Sequence, residues 1–407
     1  MNIKKVLLLT TIYPAPDLKY GTPSVHYFTK EWIKMGYEVR VIHYQAVYPK
    51  ILYFFASVLR DKIASLTGAV VFTRPDKEDK RYQMDNVTVL RFPIFKWIPH
   101  RKFTNKIIKS NIKKIIKINL EDDFNPNIII GHFSNPQLEI VSQLKHIYQA
   151  RTCMIMHDIG VSIKKVYKKK YKMLMNNIDV WGYRSKPIKN GFEKEFGKQK
   201  ESFFCYSGIP DNYILESSTK SFKGNLSKFV YVGEFIKRKY AISIIPAINS
   251  VYKDKKFHIS FVGKGNEINK MKALSLSLKL NDNISFLGHI PRNEILNILD
   301  ESECMIMISK NETFGLVYLE AMGRGCITIG SKNQGIDGVI IDGINGFLCN
   351  EGDQEDLQQI IKHINSLSSA ERQKISQKAI DTVKKLTDFE AAKKYIIEVD
   401  KKCNLND

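Results

Sequence analysis

The sequence has no C-x-x-C pair, no D-x-D triplet and no apolar run approaching the roughly 20 residues that a helix needs to cross a bilayer. Its six cysteines, Cys153, Cys205, Cys304, Cys326, Cys349 and Cys403, are dispersed. Several fall inside apolar strand-like runs, so they read as buried thiols of a reducing compartment and not as a disulfide framework. Zinc-ligand spacing, an RNP sequence and a helix-turn-helix signature are also missing, so nucleic acid drops out as a partner in spite of the basic composition. The start, Lys4-Lys5 followed by Val6-Leu7-Leu8-Leu9, has no small-residue cleavage site and runs into Tyr13-Pro14. It reads as a first β-strand rather than a signal peptide.

Acidic charge is scarce in one half only. Residues 1–200 carry 36 Lys and Arg against 16 Asp and Glu, whereas 201–407 carry 27 against 26, within a net charge of +21. Such asymmetry calls for an anionic partner of the N-terminal half, and without a nucleic-acid module an anionic membrane surface is the expectation. Aromatic segments point the same way. Tyr48–Leu59 is apolar, too short to span and flanked by Lys50, Arg60 and Lys62, and Phe92–Phe103 interleaves aromatics with bases. Both suit interfacial attachment, and Tyr48–Leu59 suits a buried insert equally well. In Lys102–Lys117, by contrast, Ile107, Ile108, Ile112, Ile115 and Ile116 recur at helical spacing, which favours a helix with its isoleucines in the core and its lysines in water.

With 407 residues and 43% hydrophobic content, the chain can build two cores. Strand-like and helix-like runs alternate in both halves. Lys5–Thr10, Val39–His43, Asn127–Ile130 and Cys153–Met156 read as strands, the last two leading into His132 and His157. Thr22 can cap a helix with Pro23 at its first position and Gly36 as its stop. The series restarts with Phe229–Gly233, His258–Gly263, Ile284–Gly288, Cys304–Ser309 and Cys326–Gly330. This repetition argues for an α/β fold with parallel sheets.

One segment is more informative than the rest. After Cys304–Ser309 comes Asn311-Glu312-Thr313-Phe314-Gly315-Leu316-Val317-Tyr318-Leu319-Glu320-Ala321-Met322-Gly323. A strand, a glycine-containing turn and a helix start form the unit at which α/β proteins hold ligands. Glu312 falls in the loop, the amides around Phe314–Leu316 open the helix and attract anions, and Glu320 falls in its second turn. Carboxylates for hydroxyls and amides for phosphate are what a nucleotide-sugar requires.

This stretch resembles the E-x7-E motif of the retaining glycosyltransferases of family 4 (glycosyl transferases group 1), which have the GT-B fold. The resemblance implies two Rossmann-like βαβ domains facing across a deep cleft. It places an acceptor-binding domain over 1–207, basic and with a membrane-facing insert at about 46–120, and a nucleotide-sugar-binding domain over 208–385. A closing helix over 386–407 would cross back to the first domain. By the same resemblance Glu312 contacts the donor sugar, the amides of Thr313, Phe314, Gly315, Leu316 and Val317 meet its phosphates or hydroxyls, and Glu320 holds the ribose. Where the family reads G-R-L-x-x-x-K-G, this chain reads Gly233-Glu234-Phe235-Ile236-Lys237-Arg238-Lys239-Tyr240. Lys239 falls on the family lysine that grips the diphosphate. Glu234 replaces the arginine, leaving Lys237 or Arg238 to compensate.

Gly263, in Gly263-Lys264-Gly265, and His289, at the position whose backbone meets the base, complete the implied donor set. Gly21 and Thr22 occupy the acceptor or phosphate loop, and His157 the place of a histidine close to the reacting sugar, with His132 a weaker candidate. The implied catalytic group is Glu312, His157 and Lys239. The expected activity is metal-independent transfer, without cofactor, from a nucleotide-sugar (UDP foremost) to a saccharide or lipid-linked saccharide of a bacterial surface polysaccharide. Its expected place is cytoplasmic, peripheral at the inner face of the membrane. A catalytically weak homologue that serves as the binding subunit of another transferase is the alternative, kept open by Glu234.

Overall fold

The computed structural model describes residues 3–17, 23–51, 53–54, 77–96, 102–254 and 256–401. Gly21 and Thr22, half of Tyr48–Leu59 and the centre of Phe92–Phe103 lie outside the described residues. The chain divides into two compact units. The first comprises Met1–Arg184, Ile188–Cys205 and Asp388–Asp407, and the second Ser185–Pro187 and Tyr206–Thr387.

The first unit is built on eight strands: β1 (Lys5–Thr10), β2 (Glu38–Val47), β3 (Lys80–Met84), β4 (Val87–Phe95), β5 (Ile128–His132), β6 (Arg151–Met156), β7 (Val180–Tyr183) and β8 (Ser202–Phe204). Their order is β3-β4-β2-β1-β5-β6-β7-β8, and all neighbours are parallel except β3 and β4. Parallel strands are covered on both faces, so they are continuously apolar. In β1, Val6, Leu7, Leu8 and Leu9 are all fully buried. The β3–β4 hairpin turns at Asp85 and Asn86, whose φ values of 47° and 63° suit a tight two-residue turn.

Of two helices read in the sequence, one departs from that reading and the other keeps it. The helix Ser24–Lys34 has Pro23 at its N-cap with no side-chain capping bond, so it starts one residue later than expected, and the expected cap Thr22 lies outside the described residues. In Asn105–Glu121, Thr104 accepts from the Ile107 amide, and Ile108, Ile112 and Ile115 are buried. That helix therefore turns its isoleucines to the core, each such burial contributing about 1.5–3 kcal/mol. The C-terminal helix Asp388–Asp400 belongs to this unit. It lays Ala391, Ala392, Tyr395, Ile396 and Val399 against Val25, Phe28 and Trp32, and the Trp32 indole donates to the Ala392 carbonyl at 2.9 Å.

The second unit carries β9 (Lys228–Val232), β10 (His258–Val262), β11 (Ile284–Gly288), β12 (Cys304–Ile306), β13 (Ile327–Ser331) and β14 (Phe347–Cys349). The order is β11-β10-β9-β12-β13-β14, parallel throughout. Strand succession reverses between β9 and β12, which opens a crevice at their carboxyl ends. Five cysteines, Cys153, Cys205, Cys304, Cys326 and Cys349, are buried free thiols, with burial holding each above its usual range. Among the described residues no helix is long and apolar enough to cross a membrane.

Candidate active site

At the reversal point of the second unit, the loop after β9 and the loop after β12 converge. Lys239 ends a short 3-10 turn, Lys237–Lys239, and its ammonium pairs with the Glu312 carboxylate. Both side chains are nearly buried, 11% and 15% exposed, so the pair is far less screened than a surface bridge. Backbone also ties the loops together, since the Lys310 amide donates to the Arg238 carbonyl at 2.8 Å. Burial, with the nearby charges of Glu312 and Glu234, holds the Tyr231 hydroxyl well above the usual tyrosine range, and the charge of Arg238 opposes that shift. Glu234 itself is exposed, and its carbonyl accepts the Tyr231 hydroxyl at 2.9 Å.

Glycines let these loops close on each other. A Cβ at Gly263, whose φ is +144°, would stand 1.9 Å from the Gly233 carbonyl oxygen. The close approach that Gly263 permits is thus first to the Gly233 backbone, which fixes the loop bearing Lys239. Gly315, at φ 82°, is the left-handed N-cap of the helix Leu316–Gly323. The amides of Leu316 and Val317 open that helix and have no intrahelical acceptor, leaving a partial positive charge beside Glu312. Thr313 is exposed, while Phe314 is buried and stacks on Tyr206 at 5.5 Å.

Glu320 is buried in that helix and accepts from Arg292 Nε at 2.5 Å. Arg292 lies 28 positions upstream, and no local pattern connects the two. Gln334 was also missed: its side-chain oxygen accepts the Glu312 amide at 3.3 Å, and the Gly335 amide donates to the Glu312 carbonyl at 2.8 Å. Its position after β13, one strand from the reversal, was the available signal. His289 is exposed beyond the end of β11 and makes no side-chain polar contact among the described residues.

The first unit gathers a different chemistry at the ends of β5 and β6. His132 Nδ1 lies 3.0 Å from His157 Nε2, and His132 Nε2 lies 3.1 Å from the Tyr395 hydroxyl. His132 is fully buried, which pushes its pKa down to about 3, with Arg184 adding to the effect. His157 is held well below the usual histidine range by burial, then by His132 and Arg184. Its ring stacks on Phe133 at 3.9 Å and 17°. Phe133 has φ 69°, an uncommon left-handed conformation for a bulky residue. The sequence paired neither His132 with His157 nor either ring with Tyr395, which is 263 positions from His132.

Among the described residues no group of three or more His, Cys, Asp or Glu side chains is placed to hold a metal ion. Residues 216–382 match the family model of glycosyl transferases group 1. An uncharacterized glycosyltransferase of Methanocaldococcus jannaschii is 25% identical over 274 residues, 66% of this chain and 74% of that protein. The capsular polysaccharide biosynthesis glycosyltransferase CapH of Staphylococcus aureus is 26% identical over 179 residues, 43% of this chain and 50% of that protein. Among solved structures, Anabaena HepE in complex with UDP superposes with a TM-score of 0.66 at 15% identity, covering 97% of this chain and 98% of that one. The fold is GT-B, with two parallel-sheet α/β units. Family match and fold together support a glycosyltransferase.

Proposed function

We propose that the chain is a retaining, metal-independent glycosyltransferase of the E-x7-E type that uses a nucleotide-sugar, UDP-linked in the first place. The observation that carries this reading is the nearly buried Lys239–Glu312 pair beside the helix that begins at Leu316. An ammonium and free amides suit a diphosphate, and a carboxylate suits sugar hydroxyls. Glu320, oriented by Arg292, takes the ribose. In the transfer, the bond from the sugar's anomeric carbon to the diphosphate oxygen breaks, and a bond to the acceptor oxygen forms on the same face. The acceptor's proton passes to the departing diphosphate. Lys239 and the amides of Leu316 and Val317 stabilise the charge that develops on that leaving group. His157 serves a substrate hydroxyl.

The acceptor we assign is a saccharide or lipid-linked saccharide of a bacterial surface polysaccharide, made at the inner face of the cell membrane. Support comes from the relation to a capsule-forming enzyme and from the basic first unit. Within that unit, Lys165, Lys168, Lys169, Lys170 and Lys172 are exposed close to exposed Ile159, Val161 and Met173. Basic side chains beside apolar ones suit an anionic lipid surface.

Purified protein is tested with a panel of UDP-, GDP- and other nucleotide-sugars, following nucleotide release with and without EDTA. One donor should turn over, unaffected by EDTA, and Glu312→Ala should reduce that turnover on the order of 10²–10³-fold. Absence of both turnover and nucleotide binding would overturn the proposal and favour a binding subunit, the role that Glu234 in place of arginine keeps in view.

A further inference from the structure

We propose that Tyr395, on the C-terminal helix, acts through His132 to fix His157 as a neutral hydrogen-bond donor at Nδ1. The inference starts from the Tyr395 hydroxyl. Its ring is fully enclosed, edge-on to Phe28 at 5.1 Å and Trp32 at 4.9 Å. Among the described residues the partner of its hydroxyl is His132 Nε2 at 3.1 Å. A buried O–H that fails to donate forfeits the bond it makes in water, so this proton points at Nε2. Nε2 is then an acceptor, and neutral His132 carries its hydrogen on Nδ1. That hydrogen lies on the 3.0 Å contact with His157 Nε2, which must accept it. His157 therefore carries its own hydrogen on Nδ1, a nitrogen with no protein partner among the described residues.

The surroundings hold this ring in place. Phe133 stacks flat on it from a left-handed backbone conformation, an outlier of the kind that collects at working sites. Burial keeps both imidazoles neutral, so neither disturbs the direction of the chain of hydrogen bonds. Two consequences follow. His157 can give a hydrogen bond to a substrate oxygen through Nδ1, and it cannot take a proton there, so it is not a general base. Tyr395 and His132 are positioning residues, and through them the last helix of the chain reaches the substrate side of the first unit. The proposal rests on the assignment of His157 to substrate made above.

The test is ring 15N spectroscopy of the full chain labelled in histidine, near pH 7.5, with His157→Gln to assign the signals. Both His132 and His157 should show protonated Nδ1 and bare Nε2. Tyr395→Phe keeps the aromatic packing and removes only the donor. It should shift both rings toward the other tautomer and lower kcat on the order of 10–100-fold, the loss typical when a residue that orients a site group is removed. Donor KM should change less than about twofold, because the lost interaction serves the transition state. Protonated Nε2 on His157 in the unaltered chain, or a Tyr395→Phe variant with unchanged rings and kcat, would overturn the inference. Rings that behave as expected in a chain that turns over no donor would uphold the proton arrangement and overturn the transferase reading instead.

Discussion

The two units solve the same topological problem with opposite chemistry. Along β4-β2-β1-β5-β6-β7 in the first and β11-β10-β9-β12-β13-β14 in the second, strand succession reverses at the same place. Residues at or beyond the carboxyl ends of the two strands past the reversal meet in both. In the first unit these are His132 and His157, neutral rings in contact with each other and with Tyr395. In the second they are Glu312 and Gln334, the former charged and paired with Lys239. Topology decides where polar groups converge, and the residues placed there decide what they can do. On the proposed function, the second unit presents charge to match a charged leaving group. On the same reading the first presents one fixed neutral donor, His157 Nδ1, suited to a hydroxyl.

That contrast can be broken most forcefully at its glycines. Gly263→Ala sets a methyl group against the Gly233 backbone, at a φ that L side chains rarely adopt. Strain and overpacking together should cost about 2–4 kcal/mol and weaken nucleotide binding with it. Gly131, beside His132, offers the matched change. There a Cβ would meet the flexible Met154 thioether at 2.5 Å, so Gly131→Ala should cost about 1–2 kcal/mol. Denaturant melts of both variants decide. Equal losses would mean that the loops of the second unit tolerate more movement than their packing indicates.

Acid separates the units next. His132 is fully buried and neutral, with its pKa lowered from an ordinary 6.5 to about 3, and His43 is lowered to about 4. Well above pH 6.5 neither the folded nor the unfolded chain protonates these rings, so there they contribute nothing to pH dependence. As pH falls from 6.5 toward the folded values, the unfolded chain binds protons that the folded one refuses, and stability falls. For His132 alone this amounts to about 2 kcal/mol between pH 6.5 and 5. In the second unit His258, His289 and His363 are all exposed. Hydrogen exchange at pH 5 should therefore show the first unit opening before the second, and His132→Asn should flatten the dependence. Simultaneous opening at every pH would tie the two units into one cooperative block.

Much of this was legible in the sequence where the signal is local. The apolar runs of β1, β5, β6 and β9 announce parallel strands, and the isoleucine spacing of Asn105–Glu121 announces which face is buried. Glu312 and Lys239 follow strand ends, and the crevice rule needs nothing more. β4 stayed hidden because Pro93 argues against a strand. It is tolerated because β3 covers only Val87–Arg91, so among the described residues the strand has a partner on one side alone at Pro93. Partnerships that depend on tertiary folding left no trace in spacing. Arg292 with Glu320, Gln334 with Glu312 and Tyr395 with His132 each join residues far apart in sequence. The helix Ser24–Lys34 began one residue late because a proline at the N-cap offers no side-chain acceptor, and tertiary packing of Phe28 and Trp32 replaces what a cap would add.

The surplus charge gives the gentlest contrast. Lys169 and Lys170 are exposed on the first unit, and their replacement by alanine should move stability by no more than about 0.5 kcal/mol. If the basic surface meets anionic lipid, each lysine near that surface contributes about 1 kcal/mol, and the double variant should bind anionic vesicles roughly 30-fold more weakly. The loss should shrink as salt is raised, because the attraction acts within a Debye length. Replacing Lys270 and Lys272, exposed on the less basic second unit, should change vesicle binding little. Cosedimentation with vesicles of graded anionic content separates these outcomes. Equal losses from both pairs would show that net charge alone drives binding, and the first unit would then have no surface dedicated to the membrane.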